Sequence, residues 1–266
     1  MNMVKTGKIS YLEPEIFAQA GVSCQGFTTR NGGVSRPPYN SLNLGSSTLD
    51  APHNAQGNRN MLARACGVRA GQLVTVTQAH GSDLLVIDTP NSDFAHFLKL
   101  ECDGIVTNQP GIMIGVCVAD CVPLLLLDPV QRVAAALHAG WKGTAERIVG
   151  KGIEALVAIF GCNPADILAA IGPAIGSCCY EVDAPIMEVF RKGGSGWDSF
   201  ARETGPAKWA LDLALANRYQ LLEGGVSEAN IDTAGVCVSC NHEFFSYRRD
   251  QGDTGRQMGF IMLKQG

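Results

Sequence analysis

Apolar residues follow two rhythms along this chain. Between 112 and 138 they form near-continuous runs: 112–118, 122–128 and, after an Asp128-Pro129 turn, 132–138. Runs this short, bounded by turn residues, predict strands. Weaker strand patterns lie at 71–77, 83–88, 166–171 and 231–238. Over 144–160 the spacing becomes helical, carried by Ile148, Ile153, Leu156 and Ile159, with Thr144 as the expected N-cap and Gly161 just past the end. Further helices are predicted over 54–66, 184–192 and 211–223. The Gly-rich polar stretch 192–208 predicts a loop or flap. Strands joined by short turns imply antiparallel or mixed sheets, an α+β pattern rather than strict strand–helix alternation. With no repeat and no long linker, residues 1–266 are expected to form a single domain.

Composition narrows the partners. The chain is 46% apolar and 17% charged, enough to bury a sizeable core without disulfides. Its net charge of −4, with no run of Lys and Arg, argues against nucleic acid or an anionic membrane as partner. The longest apolar runs are too short to span a bilayer. The first residues have no apolar core ahead of a small-residue cleavage site. A cytoplasmic location with reduced thiols is therefore expected for the 10 cysteines.

Two of the five histidines lie where predicted strands end, where a scaffold positions working groups. His80 is in Gln78-Ala79-His80-Gly81, and His138 opens His138-Ala139-Gly140-Trp141. Cys121, in Asp120-Cys121-Val122-Pro123, interrupts two apolar strands. Imidazole and thiolate suit zinc or copper, and catalytic zinc keeps three protein ligands plus an open position. Buried, hydrogen-bonded residues would give the same sequence, and spacing alone does not choose. A Cys121–His138 nucleophile and base pair is a further alternative. Arg30, beside Asn31-Gly32-Gly33, and Ser246–Arg248 are candidates for anion binding. Cys237-Val238-Ser239-Cys240 would need a second cysteine pair to read as a metal knuckle. Adjacent Cys178-Cys179 is as weak a signal, so all four are read as structural or peripheral. His242 is read as a loop residue.

These stretches resemble a family variously described as YfiH-type, multicopper polyphenol oxidase (laccase), peptidoglycan editing factor and purine nucleoside phosphorylase. The resemblance runs from about Phe27 onward. It is carried by TTRNGGVS (28–35), YNSLNLG (39–45), TQAHG (77–81), CDGIVT (102–107), VADCVPLLL (118–126), HAGWKG (138–143), IGPAIGSCCYEV (171–182) and FFSYRRDQGDTGR (244–256).

The resemblance implies a layered α/β/β/α arrangement with mixed sheets and metal ligands His80, Cys121 and His138. It implies zinc-dependent phosphorolysis of adenosine, inosine, guanosine and methylthioadenosine, with adenosine deamination. Catalytic candidates are then His80, Cys121, His138 and Asp120. Substrate-binding candidates are Arg30, Asn43, Gln78, Asp103, Ser246 and Arg248. Arg30 and the 246–248 loop are assigned to phosphate, and Asp103 and Asp120 to ribose or proton transfer, with support of a metal ligand an equal role for Asp120. Purine nucleosides and phosphate are the expected partners, and zinc the cofactor, with copper less favoured. Hydrolytic editing of cell-wall precursors is the alternative. A copper oxidase is weaker, because three scattered histidines cannot supply a trinuclear cluster. A binding protein with a structural metal would need a fourth ligand.

Overall fold

The computed structural model describes residues 1–69, 71–90, 94–193 and 196–265. The three central runs fold as expected: strands Met113–Val118, Val122–Asp128 and Val133–Ala139. The first of these belongs to one sheet and the other two to a second. The chain therefore crosses from sheet to sheet at residues 119–121.

The first sheet runs Asn2–Thr6, Ile9–Glu13, Ser23–Thr28, Gln257–Leu263, Met113–Val118, Leu73–Val74. The second runs Ile231–Thr233, Leu168–Ile171, Val122–Asp128, Val133–Ala139, Gly104–Thr107, Leu84–Ile87. Each combines antiparallel pairs with parallel ones. A three-stranded antiparallel sheet, Glu181–Asp183, Lys208–Leu211 and Ala201–Gly205, lies beside them.

Period-two alternation builds the layers. Leu125 and Leu127 point into a core shared with Ile114, Val116 and Ile261 of the first sheet. Leu124 and Leu126 point outward, onto Ile153 and Leu156 of helix Ile148–Phe160. On the outer side of the first sheet, Met113, Met258 and Phe260 pack with Leu62 and Ala63 of helix Pro52–Ala65. The result is the α/β/β/α sandwich that the resemblance implies. Each fully buried leucine contributes roughly 1.5–3 kcal/mol of transfer free energy.

Several boundaries differ from the sequence reading. The helix over 144–160 is two helices, Trp141–Ala145 and Ile148–Phe160, broken at Arg147, whose φ is +63°. Thr144 is not a cap: it is buried inside the shorter helix, and its hydroxyl accepts from Asn217 Nδ2. Gly161 does end the longer helix, left-handed at φ +68°. Only Leu73–Val74 of 71–77 and Ile231–Thr233 of 231–238 join ladders. Helix Leu213–Glu223 starts two residues later than expected, because Asp212 caps it by accepting from the Leu215 amide. The stretch 192–208 is not wholly a loop: it contains a 3₁₀ turn, Trp197–Ser199, and strand Ala201–Gly205. Gly194 and Ser195 of that stretch lie outside the described residues.

Candidate active site

Four strand termini meet at one rim of the second sheet. Val122–Asp128 and Gly104–Thr107 begin where their antiparallel neighbour Val133–Ala139 ends. Cys121 immediately precedes the first, Asp103 the second, and His138 sits near the end of the third, opposite Pro123. Leu84–Ile87, parallel to Gly104–Thr107, brings in the 77–83 segment with His80. The ligand atoms of His80, Cys121 and His138 all lie within 4.8 Å of one another. The imidazole rings meet edge to face at 4.9 Å between centroids.

Asp103 organises the group from behind. It is fully buried, and its carboxylate accepts from the amides of Ala79 (3.2 Å), His80 (3.0 Å) and Gly81 (2.7 Å). His80 takes φ +62°, the left-handed conformation that helps aim successive amides at one anion. Asp103 Oδ1 also lies 2.7 Å from His138 Nδ1. An ionised carboxylate only accepts, so Nδ1 carries the proton and Nε2 is left as the ligand atom.

Burial works against the charged forms here, but neighbours outweigh it. Burial raises the Cys121 thiol, yet His138 and His80 bring it down to about 6. Burial lowers His138, yet Cys121 and Asp103 lift it to about 9. Burial raises the Asp103 carboxyl, and its His138 and backbone bonds hold it below the usual carboxylate range. Both shifts favour the thiolate and the imidazolium, and a metal ion bound at Nε2 would take the place of its proton.

Gly140 leaves the space these ligands use. A Cβ there would come within 3.1 Å of Cys121 Sγ and 3.4 Å of His80. Two imidazoles and a thiolate, converging and held from behind by a carboxylate, fit a zinc or copper ion.

The three ligands open onto a cavity of about 560 Å³. Trp141, Tyr180 and Tyr247 supply aromatic surface to its walls. Arg59, Arg248 and Arg256 also line it, with Ser46 and Ser47. Arg59 donates to the Leu44 carbonyl, Arg248 to those of Cys179 and Glu181, and Arg256 to those of Thr254 and Gly255. Among the described residues none of these guanidinium groups is salt-bridged to a carboxylate. A cavity with three such cations is suited to an anion.

The structure separates the sequence candidates. His80, Cys121, His138, Asp120, Gln78 and Arg248 line the cavity. Gln78 is turned to the scaffold, exchanging two hydrogen bonds of 2.8 Å with the Cys117 backbone. Asp120, at φ +88°, accepts from Ser246 Oγ and from the Arg248 amide, both at 2.6 Å, and so ties the 246–248 loop to the site. Burial raises its carboxyl above the usual range.

The remaining candidates are occupied elsewhere. Arg30 stacks on Phe245 and donates to Asn40, away from the cavity. Asn43 is fully buried, and its amide serves Thr48, Asp50, Gly45 and Arg256. Ser246 is buried against Asp120, and Asp103 lies behind His138 with both oxygens committed, so neither is free for ribose or phosphate. Sequence reasoning missed Arg59, Arg256, Tyr180 and Trp141. Arg256 lay within the quoted 244–256 motif, and Trp141 and Tyr180 within 138–143 and 171–182. Arg59 carried no signal on its helix. His53, His96 and His242 belong to neither of the metal-ligand groups found among the described residues.

No helix among the described residues is long and apolar enough to cross a membrane. Residues 24–264 match the family model described as multi-copper polyphenol oxidoreductase laccase. The chain is 36% identical to purine nucleoside phosphorylase YlmD of Bacillus subtilis, across 90% of this chain and 88% of that protein. It is 33% identical to human purine nucleoside phosphorylase LACC1, across 96% of this chain but 58% of that longer protein. The crystal structure of YlmD from Geobacillus stearothermophilus superposes with a TM-score of 0.89 at 35% identity, covering 98% of each chain. Fold, ligand group and relatives agree: the chain belongs to the laccase-like multi-copper polyphenol oxidoreductase family, together with the YfiH and YlmD proteins.

Proposed function

We propose that this protein is a zinc-dependent purine nucleoside phosphorylase that also deaminates adenosine. One observation carries the reading: a single cavity joins the His80–Cys121–His138 group to three arginines that, among the described residues, form no salt bridge. The names of the relatives support the phosphorylase part of this reading. An oxidase with several coppers finds less support, because among the described residues only two histidines line the cavity.

Zinc held by His80, Cys121 and His138 would supply Lewis acidity. Arg59 and Arg256, with Ser46 and Ser47, hold phosphate by charge-assisted hydrogen bonds. Trp141, Tyr180 and Tyr247 offer faces for the purine. A phosphate oxygen bonds to the anomeric carbon as the glycosidic C–N bond breaks. The bonding pair leaves with the base, which takes up a proton. We assign that proton to Asp120, which, unlike Asp103, lines the cavity, and whose oxygens each keep a lone pair beyond the bonds from Ser246 and Arg248. Deamination uses the same cavity: water adds at the purine C6 and ammonia departs.

The test is incubation of zinc-loaded protein with adenosine, with and without phosphate, and identification of products by mass. Adenine plus ribose 1-phosphate only with phosphate, and inosine without it, are expected. A folded, zinc-loaded protein that releases no base from adenosine, inosine, guanosine or methylthioadenosine overturns the phosphorylase reading.

A further inference from the structure

The second pair that the Cys237–Cys240 motif lacks in sequence is supplied by the fold. Strands Leu168–Ile171 and Ile231–Thr233 run parallel at the edge of the second sheet. Their following segments stay together: Ala174 bridges to Cys237, and the Val238 amide donates to the Ala174 carbonyl at 3.0 Å. Cys178-Cys179 is thereby laid over Cys237 and Cys240, with all four sulfurs within 4.8 Å of one another.

The spacing is that of a common centre rather than of two pairs. Cys178 Sγ is 3.8 Å from Cys179 Sγ and 3.7 Å from Cys240 Sγ, and Cys179 to Cys240 is 3.4 Å. Four sulfurs about 2.3 Å from a tetrahedral zinc ion stand about 3.8 Å apart. Backbone amides already face one sulfur. Gly176 donates to Cys237 Sγ at 3.2 Å, and the Ser239 and Cys240 amides also serve it. Such donors orient a thiolate ligand and disperse its charge.

We infer that Cys178, Cys179, Cys237 and Cys240 form a second, closed metal site that binds one zinc ion for structure rather than catalysis. Four soft ligands leave no open position, and a tetrahedral sulfur set selects zinc over hard divalent cations. The ion fastens two loops at a sheet edge. One of them leads directly into Tyr180, and Arg248 donates to the Cys179 carbonyl, so the site braces one wall of the cavity. The inference does not depend on the reaction proposed above.

The test uses the His80→Ala/Cys121→Ala double variant, which dismantles the three-ligand site. Protein purified with reductant and without added metal is analysed for metal by mass spectrometry. One zinc per chain is expected. After exchange to cobalt, the thiolate-to-metal charge-transfer and d–d bands of a tetrathiolate are expected. Adding Cys178→Ser and Cys240→Ser should remove both the zinc and the bands. A folded double variant without zinc, with these four cysteines reacting as free thiols or forming disulfides, overturns the site. That readout requires no substitution in the cysteine cluster.

Discussion

The molecule sets cysteine sulfur to work in two contrasting surroundings. Cys121 stands at the end of a central strand between two imidazoles, backed by a buried aspartate and open to a large cavity. Cys178, Cys179, Cys237 and Cys240 converge on edge loops, with backbone amides serving Cys237 and with Cys178 and Cys240 exposed to solvent. Three ligands with a vacant direction suit a reacting centre, and four without one suit a fastening. The comparison shows that the number of converging donors, and what stands behind them, separates the two roles, whereas the presence of cysteine does not.

Removing a donor should break the comparison most sharply. Cys121→Ala is expected to lower phosphorolysis by on the order of 10³-fold, the loss of several kcal/mol of transition-state stabilisation. It should leave the zinc at the four cysteines in place. Metal content and turnover measured on the same sample check both. Asp103→Asn keeps the shape but withdraws the charge behind His138. Zinc affinity at the three-ligand site is expected to fall about 10- to 100-fold, with the four-cysteine site unchanged in a competition titration with a chelator.

Arg256→Ala tests the anion end. It should raise the KM for phosphate about tenfold, the equivalent of one charge-assisted hydrogen bond, and alter the KM for nucleoside much less. Steady-state kinetics at varied phosphate decides this.

The smallest effect is a proton count. Cys121 is held at about 6 and His138 at about 9, so near pH 7.5 the thiol is already ionised and the imidazole still charged. Of this pair, only His138 should then release a proton as zinc binds, about one per site, with the release declining as pH rises through about 9. Calorimetry in buffers of different ionisation enthalpy, using protein with the four-cysteine site already filled, measures it.

Much of this architecture was legible in the sequence. The apolar runs around Leu124–Leu127 gave their strands because burial on both faces leaves no polar positions. The resemblance supplied the three ligands, which spacing alone did not choose, because their proximity is created by strand pairing. What escaped was tertiary. Asn43, Asp103 and Ser246 are polar residues in quoted motifs, yet each spends its hydrogen bonds on the chain itself. Arg59 enters the cavity from a helix face that reads as ordinary surface. The break at Arg147 was hidden because the apolar spacing continues across it. Cys178 and Cys240 are far apart in sequence, and only a parallel pairing of two edge strands brings them together.

Strand Gln257–Leu263 lies inside the first sheet, paired on one side with Ser23–Thr28 and on the other with Met113–Val118. Its partner Phe27 is roughly 230 residues away, and contacts so remote carry a large loop-closure cost that slows folding. During synthesis the first sheet stays divided until this segment leaves the ribosome. Arg248 and Arg256 lie just before this strand, so completing the first sheet also brings two of the cavity's arginines into place. Until this strand pairs, the edges of Ser23–Thr28 and Met113–Val118 that it covers are open, and unpaired strand edges favour aggregation.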